Sequence, residues 1–257
     1  MHDIAAREHS TMRSLERALH LLTIMENVGW PMTVTEIGRD SQLSKATALR
    51  LLSVLEKYGL AEKRQGRYRL GIAVLPLAHS YVLRNELGQT ALPVMQELAQ
   101  ASGETVSLFV RLGFQRVSIQ RVEGDHPLQH TSPSIGQRLP LHLGLGKVLA
   151  AAMPEEELQK MLTPLDEVYF ANGTRWTRKA FLADLNRIRR QGYCISRNER
   201  VMGATSLAAP IVDRDGATIA GIGIVSSTER MTPKKLERFS IEIRGAAKVI
   251  AGRYCGD

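Results

Sequence analysis

The chain has 257 residues, of which 44% are apolar and only 5% aromatic, and it carries a formal charge of +8. That length accommodates two domains with a core of Leu, Ile, Val, Ala and Met, and the charge favours an anionic partner, nucleic acid foremost. The two cysteines, Cys194 and Cys255, lack any metal-type spacing and argue against a disulfide framework, as in a reducing cytoplasm, and the absence of a run of ~18 apolar residues argues against a membrane span.

Residues 1–11 contain no apolar run and are expected to form a flexible tail. Ser14 can cap a first helix, with Leu15, Ala18, Leu19 and Leu22 at i, i+3, i+4, i+7, and Gly29-Trp30-Pro31 ends it. Thr33 followed by Glu36 has capping-box spacing and starts a short second helix. Ser44 can cap a third, whose buried stripe is Ala48, Leu51, Leu52 and Leu55. Gly59 stands where such a helix ends in a left-handed residue. Leu60 to Leu70 alternates as a hairpin around Gln65-Gly66.

This segment concentrates the charge. From Arg39 to Gly71 there are eight basic residues against three acidic ones, a net +5 of the chain's +8. Two short helices, a turn and a basic hairpin describe a winged helix-turn-helix. The start of its second helix enters the major groove of DNA, so Ser44, Lys45, Thr47 and Arg50 are the expected contacts. Lys45 and Arg50 suit a phosphate or a guanine edge, and Thr47 a phosphate or a thymine methyl. Arg64 and Arg67 flank the wing turn and face the backbone or the minor groove. The alternative is that these charges only solvate a surface helix. The joint agreement of cap, stripe, turn and wing weighs against it.

Ile72 to Asn85 has a helical pattern and reads as a connector. A helix over Thr90 to Ala101 leads into strands at Thr105 to Val110 and Val117 to Val122. A further strand is expected over Ile135 to Leu141. Helices follow at Gly146 to Met153, Pro154 to Leu162 and Thr177 to Gln191. Strands start at Gly192, Ser206 and Thr218, the last two flanking an Asp213-Arg214-Asp215-Gly216 turn, and Thr232 to Arg253 closes the chain as an amphipathic helix. The class is α+β with a mainly antiparallel sheet.

Gly144-Leu145-Gly146-Lys147 is no phosphate loop, because Leu141 and Val148 break the required pattern. Pro127 argues against a helix that would align His126 and His130 as metal ligands, and His142 adds no regular spacing; no metal or cofactor is expected. Cys194 reads as a packed residue, and Trp30 and Trp176 as packing aromatics. Arg197-Asn198-Glu199-Arg200 either pairs internally or clamps an acidic ligand. No nucleophile elbow or spaced pair of carboxylates marks an enzyme. An enzyme or small-molecule-binding protein with a regulatory N-terminal module is the alternative to a regulator.

Arg13 to Leu19, Lys45 to Leu52, Leu139-Pro140-Leu141-His142 with Gly146-Lys147, and Ile188 to Tyr193 resemble the IclR family of bacterial transcription regulators. Gly203, Leu207 to Ile211 and Ser226 to Arg230 continue the resemblance. It implies a winged helix-turn-helix over 12–71, a linker helix over 72–87 and a GAF-like effector domain over 88–257. It also implies a cytoplasmic, ligand-responsive repressor or activator of a catabolic operon, acting as a homodimer or homotetramer on double-stranded operator DNA. The effector-pocket positions it implies are Leu143, Gly144, Leu145, Cys194, Ser196, Ser206, Gly223 and Val225. The stretch His142 to Lys147 is one residue shorter than the family pattern. Gly223 and Val225 stand where carboxylate-binding members place polar groups. The expectation is therefore an apolar wall and an effector such as an aromatic acid.

Overall fold

The computed structural model describes residues 2–125, 133–165 and 167–256, with side chains from Met12 onward. The chain divides into two compact units, Met1–Arg84 and Asn85–Asp257.

In the first unit, helix α1 spans His2–Val28. It begins well before Ser14, the expected cap, and its backbone runs back through the segment expected to be a tail. Ala5, Ala6, Arg7 and Glu8 are good helix formers and neither Gly nor Pro interrupts them, so nothing local stops the helix at Ser14. The side chains of residues 2–11 lie outside the description. Strand β1 (Met32–Thr33), α2 (Val34–Ser41), α3 (Lys45–Lys57), β2 (Ala61–Arg64), β3 (Arg67–Leu70) and α4 (Val74–Arg84) complete the unit. The Thr33 backbone N–H donates to Glu36 at 2.6 Å and the Glu36 N–H donates to the Thr33 hydroxyl at 3.2 Å, which closes the expected capping box. The turn into α3 passes through Gln42 at φ 57°, and Leu43 N–H donates to the Gly38 carbonyl at 2.9 Å.

Ala48, Leu52 and Leu55 of α3 are buried and Leu51 is half-buried, as the stripe requires. Leu52 and Leu55 join Leu21, Ile24, Met25, Ile37 and Tyr68 in one core. β1 pairs with β3 through Met32 and Tyr68, a third strand with no signal in the sequence. Trp30 is 69% exposed, contrary to the packing expected of it: Gly29 at φ 76° turns the chain out of α1 and leaves the indole beyond the core. Gly71 crosses close to the end of α3; a Cβ there would lie 2.1 Å from the Gly59 carbonyl oxygen, so only glycine fits.

The second unit is built on a six-stranded antiparallel sheet. Its elements are α5 (Glu86–Ser102), β4 (Thr105–Leu112), β5 (Gln115–Val122), β6 (Arg138–Pro140), a 3-10 turn (Gly144–Gly146), α6 (Lys147–Ala150), α7 (Glu155–Leu162), α8 (Arg178–Gln191), β7 (Cys194–Arg197), β8 (Ala204–Val212), β9 (Thr218–Ser227) and α9 (Pro233–Cys255). The strand order is β6-β5-β4-β9-β8-β7. α5 starts at its Asn85 cap, whose side chain accepts from Gly88 N–H at 3.0 Å, earlier than the Thr90 start expected. β6 is shorter than Ile135 to Leu141, because a turn with Gly136 at φ 85° occupies its first part. Helical backbone from Gly146 onward ends as a regular helix at Ala150, short of Met153. Alternation on the strands gives the sheet two unlike faces. Val106, Leu108, Ile222 and Ile224 pack with α5 and α9, and Phe109, Ala208 and Val225 pack with Leu145, Leu149, Phe181 and Leu185.

Candidate nucleic-acid interface and ligand cavity

The N-terminal turn of α3 is set by its cap. The Ser44 hydroxyl accepts from Thr47 N–H at 3.2 Å and lies 2.9 Å from the Thr47 hydroxyl. Both hydroxyls are thus used locally, and their first effect is to fix where the helix begins. Lys45 and Arg50 are exposed, and their side chains make no ion pair or hydrogen bond among the described residues. Ala46 and Leu49, passed over in the sequence, are exposed beside them, and Leu49 offers an apolar surface of the kind that meets a thymine methyl.

The wing differs. Arg64 donates to Glu62 at 2.5 Å, and Arg69 donates to the same carboxylate at 2.9 and 3.0 Å. Hydrogen bonds from Arg69 and then Arg64 hold the Glu62 carboxyl below its ordinary range. Arg67 donates to the Pro31 carbonyl at 3.0 Å and stands 3.5 Å from Glu36. The wing turn, with Gln65 at φ 49° and Gly66 at φ 77°, is a tight hairpin of the type that matches strand twist. Its arginines are exposed but engaged within the domain.

In the sheet unit, Gly144, Leu145, Ser196, Ser206 and Val225 line one small cavity, of about 30 Å³. That is room for a few water molecules at most. The other expected positions surround it. Cys194 is buried, with its thiol 3.8 Å from the Gly144 carbonyl, and Leu143 is half-buried against the neighbouring core. Gly223 lies beneath Leu145: a Cβ there would come 2.6 Å from the leucine side chain.

Sequence reading missed Arg116 in this cavity and had Glu199 and Arg200 only as part of a charged run that pairs internally or clamps an acidic ligand. Arg116, Glu199 and Arg200 line it together with Pro133, Val201 and Ala204. Arg116 is 3% exposed, lies 4.9 Å over the Phe109 ring, and has no hydrogen-bond partner at Nε or Nη1. Burial, with the Arg200 charge adding to it, pulls its guanidinium down to about 9. The Ser118 hydroxyl, two residues further along β5, is also buried without a partner. The wall is therefore richer in donors than the expectation drawn from Gly223 and Val225.

Behind the cavity lies an ion cluster. The Lys147 ammonium donates to Asp184 at 2.7 Å and to Glu199 at 2.6 Å, and the second Glu199 oxygen accepts from Gly144 N–H at 2.9 Å. Burial works against the charged lysine, but Glu199 and Asp184 outweigh it and the net shift is upward. Glu199 thus pairs inside the protein, while its neighbour Arg200 remains on the cavity wall. A larger hollow of about 550 Å³ opens beyond Lys147, against His142, Trp176, Phe181 and Asp184. Trp176 is buried, as expected, and packs edge-on to His142 at 6.1 Å.

Burial pushes the Cys194 thiol up to about 12, which fits a packed residue rather than a reactive one. His126 and His130 lie outside the described residues. Among the described residues no group of three or more His, Cys, Asp or Glu could hold a metal ion, and no helix is long and apolar enough to cross a membrane.

Comparison with known proteins places this geometry. The IclR helix-turn-helix domain profile matches residues 14–65, and the profile for the C-terminal part of bacterial transcriptional regulator IclR matches residues 79–251. The chain is similar to the HTH-type transcriptional regulator XynR of Escherichia coli K12, 29% identical over 243 residues, 93% of this chain and 96% of the relative. It is similar to the HTH-type transcriptional repressor AllR of Salmonella typhi, 30% identical over 242 residues, 93% and 89% of the two chains. An IclR homologue from Microbacterium hydrocarbonoxydans, solved with 4-hydroxybenzoate, superposes with a TM-score of 0.74 at 25% identity, over 95% of this chain and all of the other. An IclR-family regulator from Brucella abortus shares the fold, with a TM-score of 0.80 at 24% identity over 93% and 92% of the chains.

Proposed function

Since this chain belongs to the IclR family, and is thereby a ligand-responsive, DNA-binding transcriptional regulator rather than an enzyme, we propose that α3 reads its operator with Lys45 and Arg50. The observation that supports this most is that both cations stand exposed and unengaged on the first turns of a capped helix. Ser44 and Thr47 hold that turn in place and meet the phosphates. Arg64 and Arg67 are secondary contacts, because Glu62, Pro31 and Glu36 already engage them. Fluorescence anisotropy with the DNA upstream of its own gene is expected to give specific binding that competitor DNA does not remove. Equal affinity for operator and random DNA overturns the assignment.

The effector is proposed to be a small organic or aromatic acid, bound in the cavity of Gly144, Leu145, Ser196, Ser206 and Val225 with Leu143, Cys194 and Gly223 behind it. The 4-hydroxybenzoate held by the Microbacterium homologue supports an acid of this size. Control of a catabolic operon from the cytoplasm is the proposed setting, with repression as its sign, since the AllR relatives are named transcriptional repressors. The boundaries 12–71, 72–87 and 88–257 are proposed as the functional division, with residues 72–87 carrying the signal.

A homodimer, or a tetramer built from it, is proposed on the apolar surface of the first unit. Leu75, Leu77, Tyr81 and Leu83 on α4 are each more than half exposed, as are Met12, Leu15 and Leu19 on α1. Apolar side chains in that number mark a surface that another protein covers, and paired winged helices on a two-fold operator make a second copy the fitting occupant. Leu75→Glu with Tyr81→Glu is expected to lower the mass measured by light scattering; an unchanged mass removes these helices from the interface.

A further inference from the structure

Among the described residues the other buried cation of the second unit, and the half-buried Arg230, are matched. Lys147 has Asp184 and Glu199. Arg230 meets Glu104, itself 3% exposed, at 2.8 and 2.9 Å. Arg116 is the exception. No carboxylate among the described residues pairs with it, two of its nitrogens make no hydrogen bond, and its ring contact with Phe109 offsets only part of the lost hydration. The acid that shares its cavity, Glu199, is spent: one oxygen is on Lys147 and the other on Gly144 N–H. A guanidinium stays charged at any physiological pH and is expensive to bury alone. Its planar edge matches a carboxylate or a phosphate bidentately, and of the two the carboxylate is the smaller and less charged, which suits so small a cavity.

We propose that Arg116 is the anchor of the effector's carboxylate, with Ser196 and Ser206 donating from the opposite wall; this rests on reading the cavity as the effector site. The ligand completes an ion pair that the protein leaves half-built. Its chemical class is then a carboxylic acid, and the corresponding neutral amide is rejected. A cavity of about 30 Å³ admits no such acid as it stands, so the ligand enters only when the walls part. Charge matching then favours the filled state, which gives the ligand a differential affinity for one conformation over another.

The test uses the full-length protein. Calorimetric titration with glyoxylate, pyruvate, benzoate and 4-hydroxybenzoate at millimolar concentrations, each against its primary amide, is run on wild type, Arg116→Met, Arg116→Lys and Ser206→Tyr. At least one acid is expected to bind wild type while its amide does not. Arg116→Met is expected to lose that affinity by about tenfold to a hundredfold, the range for a charged hydrogen bond, and Arg116→Lys to recover part of it. Ser206→Tyr, which fills the cavity, loses binding whatever the anchor. Arg116→Met is also expected to unfold at a higher temperature than wild type without ligand, because it removes an unmatched buried charge; a purely structural arginine gives the reverse. Loss in Ser206→Tyr with full affinity in Arg116→Met overturns the anchor alone. Full affinity in both overturns the cavity reading as well. Amide binding equal to acid, no acid bound, or a destabilised Arg116→Met each overturns the proposal. Operator binding by the unliganded variants, followed in parallel, tests the DNA-reading assignment separately.

Discussion

On α3, Lys45 and Arg50 stand in water, and water solvates them until something anionic arrives. In the sheet, Arg116 has been taken out of water with two nitrogens unbonded. The difference shows two ways of holding positive charge for an anion. A surface cation needs no supporting structure and gives an attraction that salt weakens. A buried cation depends on everything packed around it and gives a selectivity that salt barely touches. Lys147 is a third case, buried and fully matched, and it sets the scale for what a completed ion cluster contributes in this fold.

The comparison breaks first if the matched cluster proves dispensable. Lys147→Met leaves Glu199 with only Gly144 N–H and Asp184 with only Arg187, both with little exposure, and is expected to destabilise the protein by up to about 3–5 kcal/mol in urea unfolding. The same cluster gives a pH dependence. The Lys147 pKa is raised above its ordinary 10.5. Its contribution is therefore fully present below that value and is lost as pH rises through the higher folded one, so an alkaline melting series should show a steeper loss in wild type than in Lys147→Met. Next in size, Arg50→Ala is expected to weaken operator binding by about 1–3 kcal/mol with an unchanged melting temperature, if it reads a base. An equal loss on random DNA makes it a phosphate contact. Lys45→Ala should weaken both kinds of DNA alike and reduce the salt slope by about one. Arg64→Ala should fall below both, because Glu62 already holds that guanidinium; Glu62→Ala should raise non-specific affinity by freeing it. The smallest effect is chemical: a disulfide reagent is expected to modify Cys255 in the native protein and Cys194 only after unfolding.

The first unit was legible because its signals are local. Ser44, the stripe through Ala48, Leu52 and Leu55, and the Gln65-Gly66 turn each lie within a few residues of what they determine. β1 was not, because two residues become a strand only by pairing with Tyr68 and Arg67 far along the chain. Trp30 misled for the opposite reason: an aromatic was taken to pack, and a left-handed glycine before it turned it outward. In the second unit the antiparallel class and the succession of helices and strands could be read. The cavity could be read only in part. Gln115-Arg116-Val117-Ser118 has the alternation of an ordinary strand with one wet face. Only the closure of the Gly144 turn and the end of β7 over that face makes it an interior one. Glu199 and Arg200 showed as a charged run, but nothing in their spacing tells that one would turn to Lys147 and the other to the cavity.

The crossing at Gly71 has a mechanical meaning. With 2.1 Å between a hypothetical Cβ and the Gly59 oxygen, and backbone hydrogen bonds from Gly71 to Leu60 and from Ala73 to Gly59, the wing is riveted to the end of α3. The joint has no slack for one to slide against the other. If residues 72–87 carry the proposed signal, a push at Val74 meets a single stiff lever: α3 and the wing move together and do not bend against each other.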